Sequence, residues 1–349
     1  SFKYGTMDYT YPREEKIKMF AVHHEGDFTS WSAHTPADFN GAIIGYDSGF
    51  DAWVPKNGND YYYFHGNHKL SYAAMSPANL TKDEGQSYAA PSSENPLFDV
   101  PYNPTVSFGD NGLSIQNFRV SNDPTKHFEL LYSDIHKNKL PADKTNSADY
   151  YSGLPISFKH ALSSIHFSLV KSQSIDQEVV LTKITLSNIQ CKGDFNQGID
   201  NNGNSHPTWT IPTNESDRVV CNFEPFTCNE GEGVSFPKNP QYISSLLTQQ
   251  GTTNKGTSSP LLLIPQPIAN SNITMRIDYK VGATATYRDI AFNAMSFNEV
   301  GGEAITSWLP GYRYTFRLNY SDATHANDII YFAPSTDPWP NAKIIQINL

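Results

Sequence analysis

Short stretches in which apolar and polar residues alternate recur along almost the whole chain. Alternation with a period of two is typical of strands with one buried face, and helical windows sustained over three turns are scarce. The pattern predicts N-terminal strands at 17–23, 60–64, 69–75, 113–120 and 127–132. It predicts C-terminal strands at 156–160, 165–170, 179–186, 261–265, 273–281, 313–320 and 329–333. Many short strands separated by turn residues predict an all-β protein built as one or two β-sandwiches.

Polar residues divide these strands into two groups. The clearest polar gap begins at Asp134 and ends at Gly153. We interpret residues 141–153 as a linker between an N-terminal β-sandwich domain, 1–140, and a C-terminal β-sandwich domain, 154–349. A second polar stretch, 193–206, is rich in Asn and Gly and is predicted to form a long surface loop.

Composition excludes several classes of protein. Only 17% of the 349 residues are charged, and the net charge is −10 without any Lys/Arg cluster, which argues against a nucleic-acid partner. No apolar run approaches the roughly 18 to 20 residues of a membrane helix. Among three cysteines at least one is unpaired or pairs between chains, and a Cys221–Cys228 bridge is one arrangement.

Motifs for chemistry are scarce. The chain has no Gly-rich phosphate loop, no His-Glu-x-x-His and no Gly-x-Ser-x-Gly. Neighbouring histidines at 23–24 and at 65 and 68 could bind a transition metal, but no third ligand is indicated, so structural histidines are favoured. Residues 200–204 are similar to part of a calcium loop but lack its bidentate acid, so a turn is favoured. We therefore predict no catalytic residue, no metal and no cofactor, and interpret the chain as a protein that is not an enzyme.

Several strings, in order, resemble the Bacteroidales fimbrillin-like family, subunits of pili assembled outside the outer membrane. The most specific is Phe-Lys-His-Ala-Leu-Ser-Ser-Ile at 158–165, which is similar to the family's F-x-H-A-L-S-x-I. Other similar strings lie at 61–64, 69–77, 129–133, 263–266, 308–316 and 337–339. Glu129 stands where the family often has Asp, Ser133 replaces the usual Ala, and Tyr62-Tyr63-Phe64 replaces Trp-Pro. These departures obscure the subfamily.

The resemblance implies two transthyretin-like β-sandwich domains in tandem. It also implies export as a lipoprotein precursor to the cell surface or outer membrane, and polymerisation by donor-strand exchange after proteolysis. The protein would then be a structural fimbrial subunit that supports adhesion. Its partners would be other pilus subunits and a host or bacterial surface ligand, and it would meet the membrane only through a lipid anchor. The alternative is a surface carbohydrate-binding or adhesin module that does not polymerise.

Arg13 is the candidate site of proteolytic processing. In the resembling family an Arg- or Lys-specific protease cuts after the first strand, and the lost strand leaves an apolar groove. Arg13 follows a Tyr-rich segment, 4–11, and precedes the strand at 17–22, with Lys16 and Lys18 behind it. The other interpretation is that residues 1–13 form a permanent first strand or a loose terminus.

The last residues are candidates for the donor strand. Ile345, Ile347 and Leu349 alternate with polar residues and would share one face of a strand. A terminal strand of this kind can pair with the sheet edge of another chain. Equally, 343–349 could complete the subunit's own C-terminal sheet.

Two segments that are predicted to be buried also allow a functional interpretation. His160 would lie on the apolar face of its strand, and we predict a structural histidine bonded to backbone carbonyls at a domain junction. Farther on, Tyr312, Tyr314 and Phe316 alternate with Arg313, Thr315 and Arg317, which predicts a half-buried strand. A stacking platform for sugars is the alternative there, and it requires exposed aromatic rings.

Overall fold

The computed structural model describes residues 3–4, 9–34, 38–49, 52–55, 68–80, 104–140, 154–200, 202–249, 256–298, 304–321 and 341–348. Nearly all regular structure in them is β, which confirms the all-β class. The strands are β1 (Lys3–Tyr4), β2 (Tyr9–Thr10), β3 (Lys16–His24), β4 (Phe39–Asp47), β5 (Ala52–Pro55), β6 (Lys69–Ser76), β7 (Thr105–Gly109), β8 (Gly112–Arg119), β9 (Leu131–Ser133), β10 (His136–Lys139), β11 (Phe158–His160), β12 (Ser163–Lys171) and β13 (Val179–Gln190).

The strands continue with β14 (Lys192–Asn196), β15 (Thr208–Thr210), β16 (Val220–Cys228), β17 (Val234–Ser235), β18 (Gln241–Tyr242), β19 (Gly256–Ser258), β20 (Leu261–Leu263), β21 (Thr274–Val281), β22 (Thr284–Ala291), β23 (Phe297–Asn298), β24 (Ala304–Ile305), β25 (Tyr312–Tyr320) and β26 (Asn341–Asn348). Helix α1 spans Ile243–Gln249, and 3-10 turns lie at Pro124–Lys126, Glu215–Asp217 and Phe292–Ala294. In the described residues no helix is long and apolar enough to cross a membrane.

The chain folds into two compact units, each made of three segments. Unit 1 contains Ser1–Arg119, Glu129–Ala161 and Gly193–Thr210, and unit 2 contains Val120–Phe128, Leu162–Lys192 and Ile211–Leu349. Residues 120–128, 154–161 and 193–210 thus belong to the opposite unit from the one expected for domains 1–140 and 154–349. The proposed linker, 141–153, lies outside the described residues, so its role stays a prediction.

Unit 1 contains two sheets in contact with each other. One has the order β11-β9-β6-β3-β4-β5, with β10 also paired to β6, and the other has the order β15-β14-β8-β7. Phe20 of β3 stacks on Phe108 of β7 with ring centroids 4.7 Å apart. The buried core around the larger sheet includes Ile17, Met19 and Tyr72. The unit is held together by apolar burial between β-sheets.

The expected long loop at 193–206 is wrong in its first part. Residues 192–196 form β14, which pairs with β15 and lies beside β8. Phe195 and Gln197 are buried, and the Gln197 side chain accepts a hydrogen bond from the Leu113 N–H at 2.9 Å. Local polarity hid this strand because its partners are distant in sequence.

Unit 2 contains two large sheets in contact and a two-stranded sheet, β23-β24. One has the order β18-β12-β25-β26, with β20 also paired to β12, and the other has the order β19-β16-β13-β21-β22, with β17 paired to β13. Strands β12, β25 and β26 run parallel to one another. Tyr279 of β21 and Tyr320 of β25 meet edge to face at 6.0 Å between ring centroids. Apolar residues from both sheets fill the space between them.

Strand β25 is buried on both faces, so the expectation of a half-buried strand is wrong. Thr315, Arg317 and Asn319 are only 4–6% exposed, like the aromatic residues with which they alternate. The reason is position in the sheet, since β25 lies between two parallel neighbours, β12 and β26. Strands of this kind are covered on both sides.

His127 contacts two segments of unit 2, one close to it in sequence and one distant from it. Its Nε2 lies 2.8 Å from the Ser121 carbonyl, and its Nδ1 accepts the Leu262 N–H at 3.1 Å. Nδ1 must therefore be unprotonated for the second bond to exist. Burial lowers the pKa of His127 to about 4.

We expect this histidine to make unit 2 acid-sensitive. An unfolded His127 takes up a proton below about pH 6.5, whereas the folded one resists until about pH 4. The contribution of His127 to the free energy of unfolding is therefore fully present above pH 6.5 and decreases as the pH falls towards 4. The total loss, reached below pH 4, is about 3 kcal/mol. Urea unfolding at several pH values should show this slope in the wild type and a shallower one in His127→Gln, which keeps a donor and an acceptor. Equal slopes in the two proteins would contradict the assignment.

Candidate functional site

Arg13 lies in an exposed turn between β2 and β3. The Glu15 N–H closes this turn by donating to the Pro12 carbonyl at 3.2 Å. The guanidinium carbon of Arg13 sits 4.2 Å from the ring centroid of Tyr46. The peptide bond after Arg13 is thus at the surface, where a protease can reach it.

Lys16 and Lys18, the reserve candidates for cleavage, lie in a different environment. Both belong to β3, which pairs with β4 on one side and with β6 on the other. Burial lowers the pKa of Lys18. Cleavage inside a central strand would require the sheet to open, so the structure separates Arg13 from the two lysines.

Tyr11, two residues before Arg13, is a core residue of unit 1 that the sequence analysis missed. It is 2% exposed. Its ring centroid lies 5.3 Å from that of Trp53 and 5.5 Å from that of Phe158, and its hydroxyl is hydrogen-bonded to Ser76 Oγ. The only signal in the sequence was the Tyr-rich character of 4–11. A cut after Arg13 would detach this aromatic side chain from the rest of the unit.

The residues before Tyr11 pair with one another. Lys3 lies opposite Thr10 and Tyr4 opposite Tyr9, which forms the small hairpin β1-β2. Among the described strands neither β1 nor β2 pairs with the larger sheets. The first described strand of the large sheet of unit 1 is therefore β3.

The C-terminal candidates lie on a strand that pairs within this chain. Strand β26 runs parallel to β25, with Ile345 opposite Phe316 and Ile347 opposite Leu318. Leu349 lies outside the described residues. In this structure the C-terminal strand completes the subunit's own sheet, the second of the two arrangements expected from the sequence, and its role as a donor stays a prediction.

The histidines considered for metal binding contact protein groups instead. His23 Nδ1 lies 2.7 Å from Asp38 Oδ1, His24 Nε2 lies 2.8 Å from Ser71 Oγ, and His68 Nε2 lies 3.3 Å from Glu25 Oε1. His65 lies outside the described residues. Within the described chain no three His, Cys, Asp or Glu side chains converge as metal ligands.

His160 is buried as expected, and a carboxylate lies beside its ring. Its Nδ1 lies 3.2 Å from Oε2 of Glu129, within the same unit. Glu129 is the residue that departs from the usual Asp of the resembling family. The sequence analysis anticipated backbone carbonyls because it could not place 129 beside 160.

Asp200, Asn202 and Asn204 are joined by hydrogen bonds in a turn. Asp200 Oδ1 accepts the N–H groups of Asn202 at 2.9 Å and Asn204 at 2.8 Å. The backbone N–H of Asn204 and the His206 side chain hold the pKa of Asp200 well below its ordinary value. The expectation of a turn is confirmed.

None of the three cysteines, all of which lie within the described residues, forms a disulfide. Cys221 and Cys228 both lie on β16, and seven residues of extended strand separate their Cα atoms by about 23 Å. A disulfide needs Cα atoms within about 7 Å. The arrangement in which these two residues are bridged is therefore wrong.

Tyr314 and Phe316 of β25 are not placed to stack on a sugar. Tyr314 and Phe316 are 1% and 0% exposed. Burial raises the pKa of Tyr314 to about 12, and its hydroxyl accepts the Leu309 N–H at 2.9 Å. Both side chains therefore act as core.

Comparison with known proteins gives one family match. The model of the fimbrillin-like family matches residues 12–339. No curated protein matches. Several solved structures resemble the chain. A fimbrial protein of Bacteroides vulgatus is 14% identical, with 88% of each chain covered and a TM-score of 0.49.

Two other solved structures are proteins assigned to cell adhesion. The one from Bacteroides uniformis is 12% identical, covering 90% of this chain and 89% of that one, with a TM-score of 0.45. The one from Bacteroides ovatus is 10% identical, covering 88% and 83%, with a TM-score of 0.43. Because these TM-scores lie below 0.5, the assignment rests on the family match. Over 12–339, nearly its whole length, this chain belongs to the fimbrillin-like family.

Proposed function

We propose that this protein is a structural fimbrial subunit that polymerises by donor-strand exchange after cleavage at Arg13. Membership in the fimbrillin-like family supports a pilus or adhesin role at the cell surface. The observation that carries the finer proposal is the burial of Tyr11 in the core of unit 1, two residues before an exposed arginine. Cleavage there would remove a core side chain at a single accessible bond.

Removing Tyr11 would leave an apolar gap beside Trp53 and Phe158. Truncation of large buried side chains is costly because the surrounding structure relaxes only partly. A strand supplied by another subunit could refill the gap and pair with exposed backbone. The processed subunit would therefore favour association over remaining alone.

Strand β26 supports the donor part of the proposal. It is an edge strand, paired with β25 on one side among the described strands, so its release breaks one ladder. Ile345, Ile347 and Leu349 would present one apolar face to a groove. Burial of each side chain is worth roughly 1.5 to 3 kcal/mol before ordering costs. Backbone pairing would have to supply the remainder of the affinity.

The proposed setting is the outer surface of a bacterium. The precursor would be a lipoprotein held to the outer membrane by its lipid, and the assembled fibre would support adhesion to a host or bacterial surface. Its partners would be other pilus subunits. We propose no catalytic step and no cofactor.

Cleavage by an arginine-specific protease tests the proposal. The wild type should lose residues 1–13 and then form fibres visible by electron microscopy. Arg13→Ala should resist this cut and form no fibres, whereas Arg218→Ala, at another exposed arginine, should behave as the wild type. Cleaved protein that forms no fibres would contradict polymerisation and favour the alternative, a carbohydrate-binding or adhesin module, which a glycan array would then examine.

A further inference from the structure

The edge of the six-stranded sheet in unit 2 is unusually open. Strand β22 pairs with β21 and with no other described strand. Residues 284–289 of this strand are exposed on both faces of the sheet, whereas Ile290 is buried. Tyr287 is 56% exposed. Both faces and the outer backbone of β22 therefore meet solvent.

The register shows which backbone groups face this open edge. Val281 lies opposite Thr284 across a two-residue turn in which Gly282 has a φ of +58°. The pair that closes such a hairpin exchanges its hydrogen bonds, and bonded and non-bonded pairs then alternate. The N–H and C=O groups of Ala285, Tyr287 and Asp289 consequently point away from β21. An approaching antiparallel strand would find three residues ready to pair.

We propose that β22 binds β22 of a second copy of this chain, antiparallel, around a twofold axis at Tyr287. The contact is lateral and uses neither Arg13 nor the C-terminal strand, so it goes beyond the proposed function. An apolar donor strand suits this edge poorly, because neither face of β22 offers a groove to bury its side chains. A strand as polar as β22 itself can form the backbone hydrogen bonds of the ladder without leaving apolar side chains exposed to water.

Charge selects the register. In a symmetric antiparallel pair, opposed residues lie on the same face of the combined sheet. Centring the axis on Arg288 or on Asp289 would set like charges directly opposite one another. Centring it on Tyr287 places Thr286 opposite Arg288 and Ala285 opposite Asp289, and it overlaps residues 284–290. Of the registers without like-charge pairs, this one overlaps most of the strand.

Tyr287 is held in place for such a contact. Its ring lies under the guanidinium of Arg276, with 3.8 Å between the guanidinium carbon and the ring centroid. Arg276 is itself paired with Asp278 at 3.0 Å and with Asp289 at 3.7 Å. Two tyrosines facing each other across the axis would add an aromatic cross-strand pair.

Two single substitutions with the same charge change test the register. In Tyr287→Glu the new carboxylates oppose each other across the axis, whereas in Thr286→Glu each carboxylate opposes Arg288 of the other copy. Both positions are exposed, so both variants should fold, which thermal melting checks. Sedimentation equilibrium on the full uncleaved chain, from low to high micromolar concentration, measures the association.

We expect weak dimerisation of the wild type, typical of small interfaces. Thr286→Glu should dimerise as tightly or more tightly, and Tyr287→Glu at least about tenfold more weakly. A wild type that remains monomeric throughout the range would overturn the proposal. So would equal association of the two variants, because it would show that the contact does not pass through Tyr287.

Discussion

Tyr11→Ala should lower the free energy of unfolding of unit 1 by about 3–5 kcal/mol, the usual cost of truncating a large buried aromatic side chain. The reason is the loss of contacts with Trp53 and Phe158. Tyr11→Phe keeps the ring and loses the hydrogen bond to Ser76, so it should cost only about 1 kcal/mol. Urea unfolding followed by tryptophan fluorescence measures both. Similar small losses in the two variants would show that the ring is not a packing element.

The Tyr11 substitution also reproduces part of the proposed processing. Cleavage after Arg13 would remove the same side chain together with the hairpin β1-β2. Processed protein should therefore be less stable than the uncleaved chain until a partner strand refills the site. A peptide corresponding to 341–349 should restore part of that stability to processed protein and have little effect on the uncleaved chain.

Deleting residues 345–349 should leave a folded, soluble subunit that forms no fibres. The deletion removes the C-terminal half of β26 from its ladder with β25, but β25 keeps its pairing with β12. Circular dichroism and gel filtration check folding, and electron microscopy of the cleaved protein checks fibres. Gln346→Ser, a change on the opposite parity of the same strand, is the matched control and should polymerise.

Loss of folding on that deletion would give a different answer. It would show that the last residues are needed within the subunit's own sheet, as the parallel pairing of β26 with β25 in this structure allows. The donor strand would then have to come from another segment. A folded variant that still forms fibres would equally remove 345–349 as the donor.

The sequence predicted individual strands well because alternation is a local property. The predicted strands 69–75 and 165–170 correspond to β6 and β12, which are one and three residues longer in the structure. Sheet membership is not local, which is why β14 was read as a loop. The predicted strands at 60–64 and 329–333 lie outside the described residues.

The candidate site was only half visible in the sequence. Arg13 could be chosen as the candidate because it lies between a Tyr-rich segment and a predicted strand, where an arginine-specific protease could cut. Tyr11 could not, since its burial depends on Trp53 and Phe158, which are distant in sequence. The same limit applies to His160, because its partner Glu129 lies before β9 and is distant from it in sequence. Such contacts depend on packing between segments that are distant in sequence. The local alternation of apolar and polar residues does not encode that packing.

The N-terminus of the subunit in assembled fibres tests the central claim most directly. Fibres would be isolated from cells, denatured, and analysed by N-terminal sequencing and intact mass. If cleavage at Arg13 prepares the subunit for polymerisation, the sequence should begin at Glu14, and Arg13→Ala cells should lack fibres that contain this protein. Fibre subunits that retain residues 1–13 would contradict the claim.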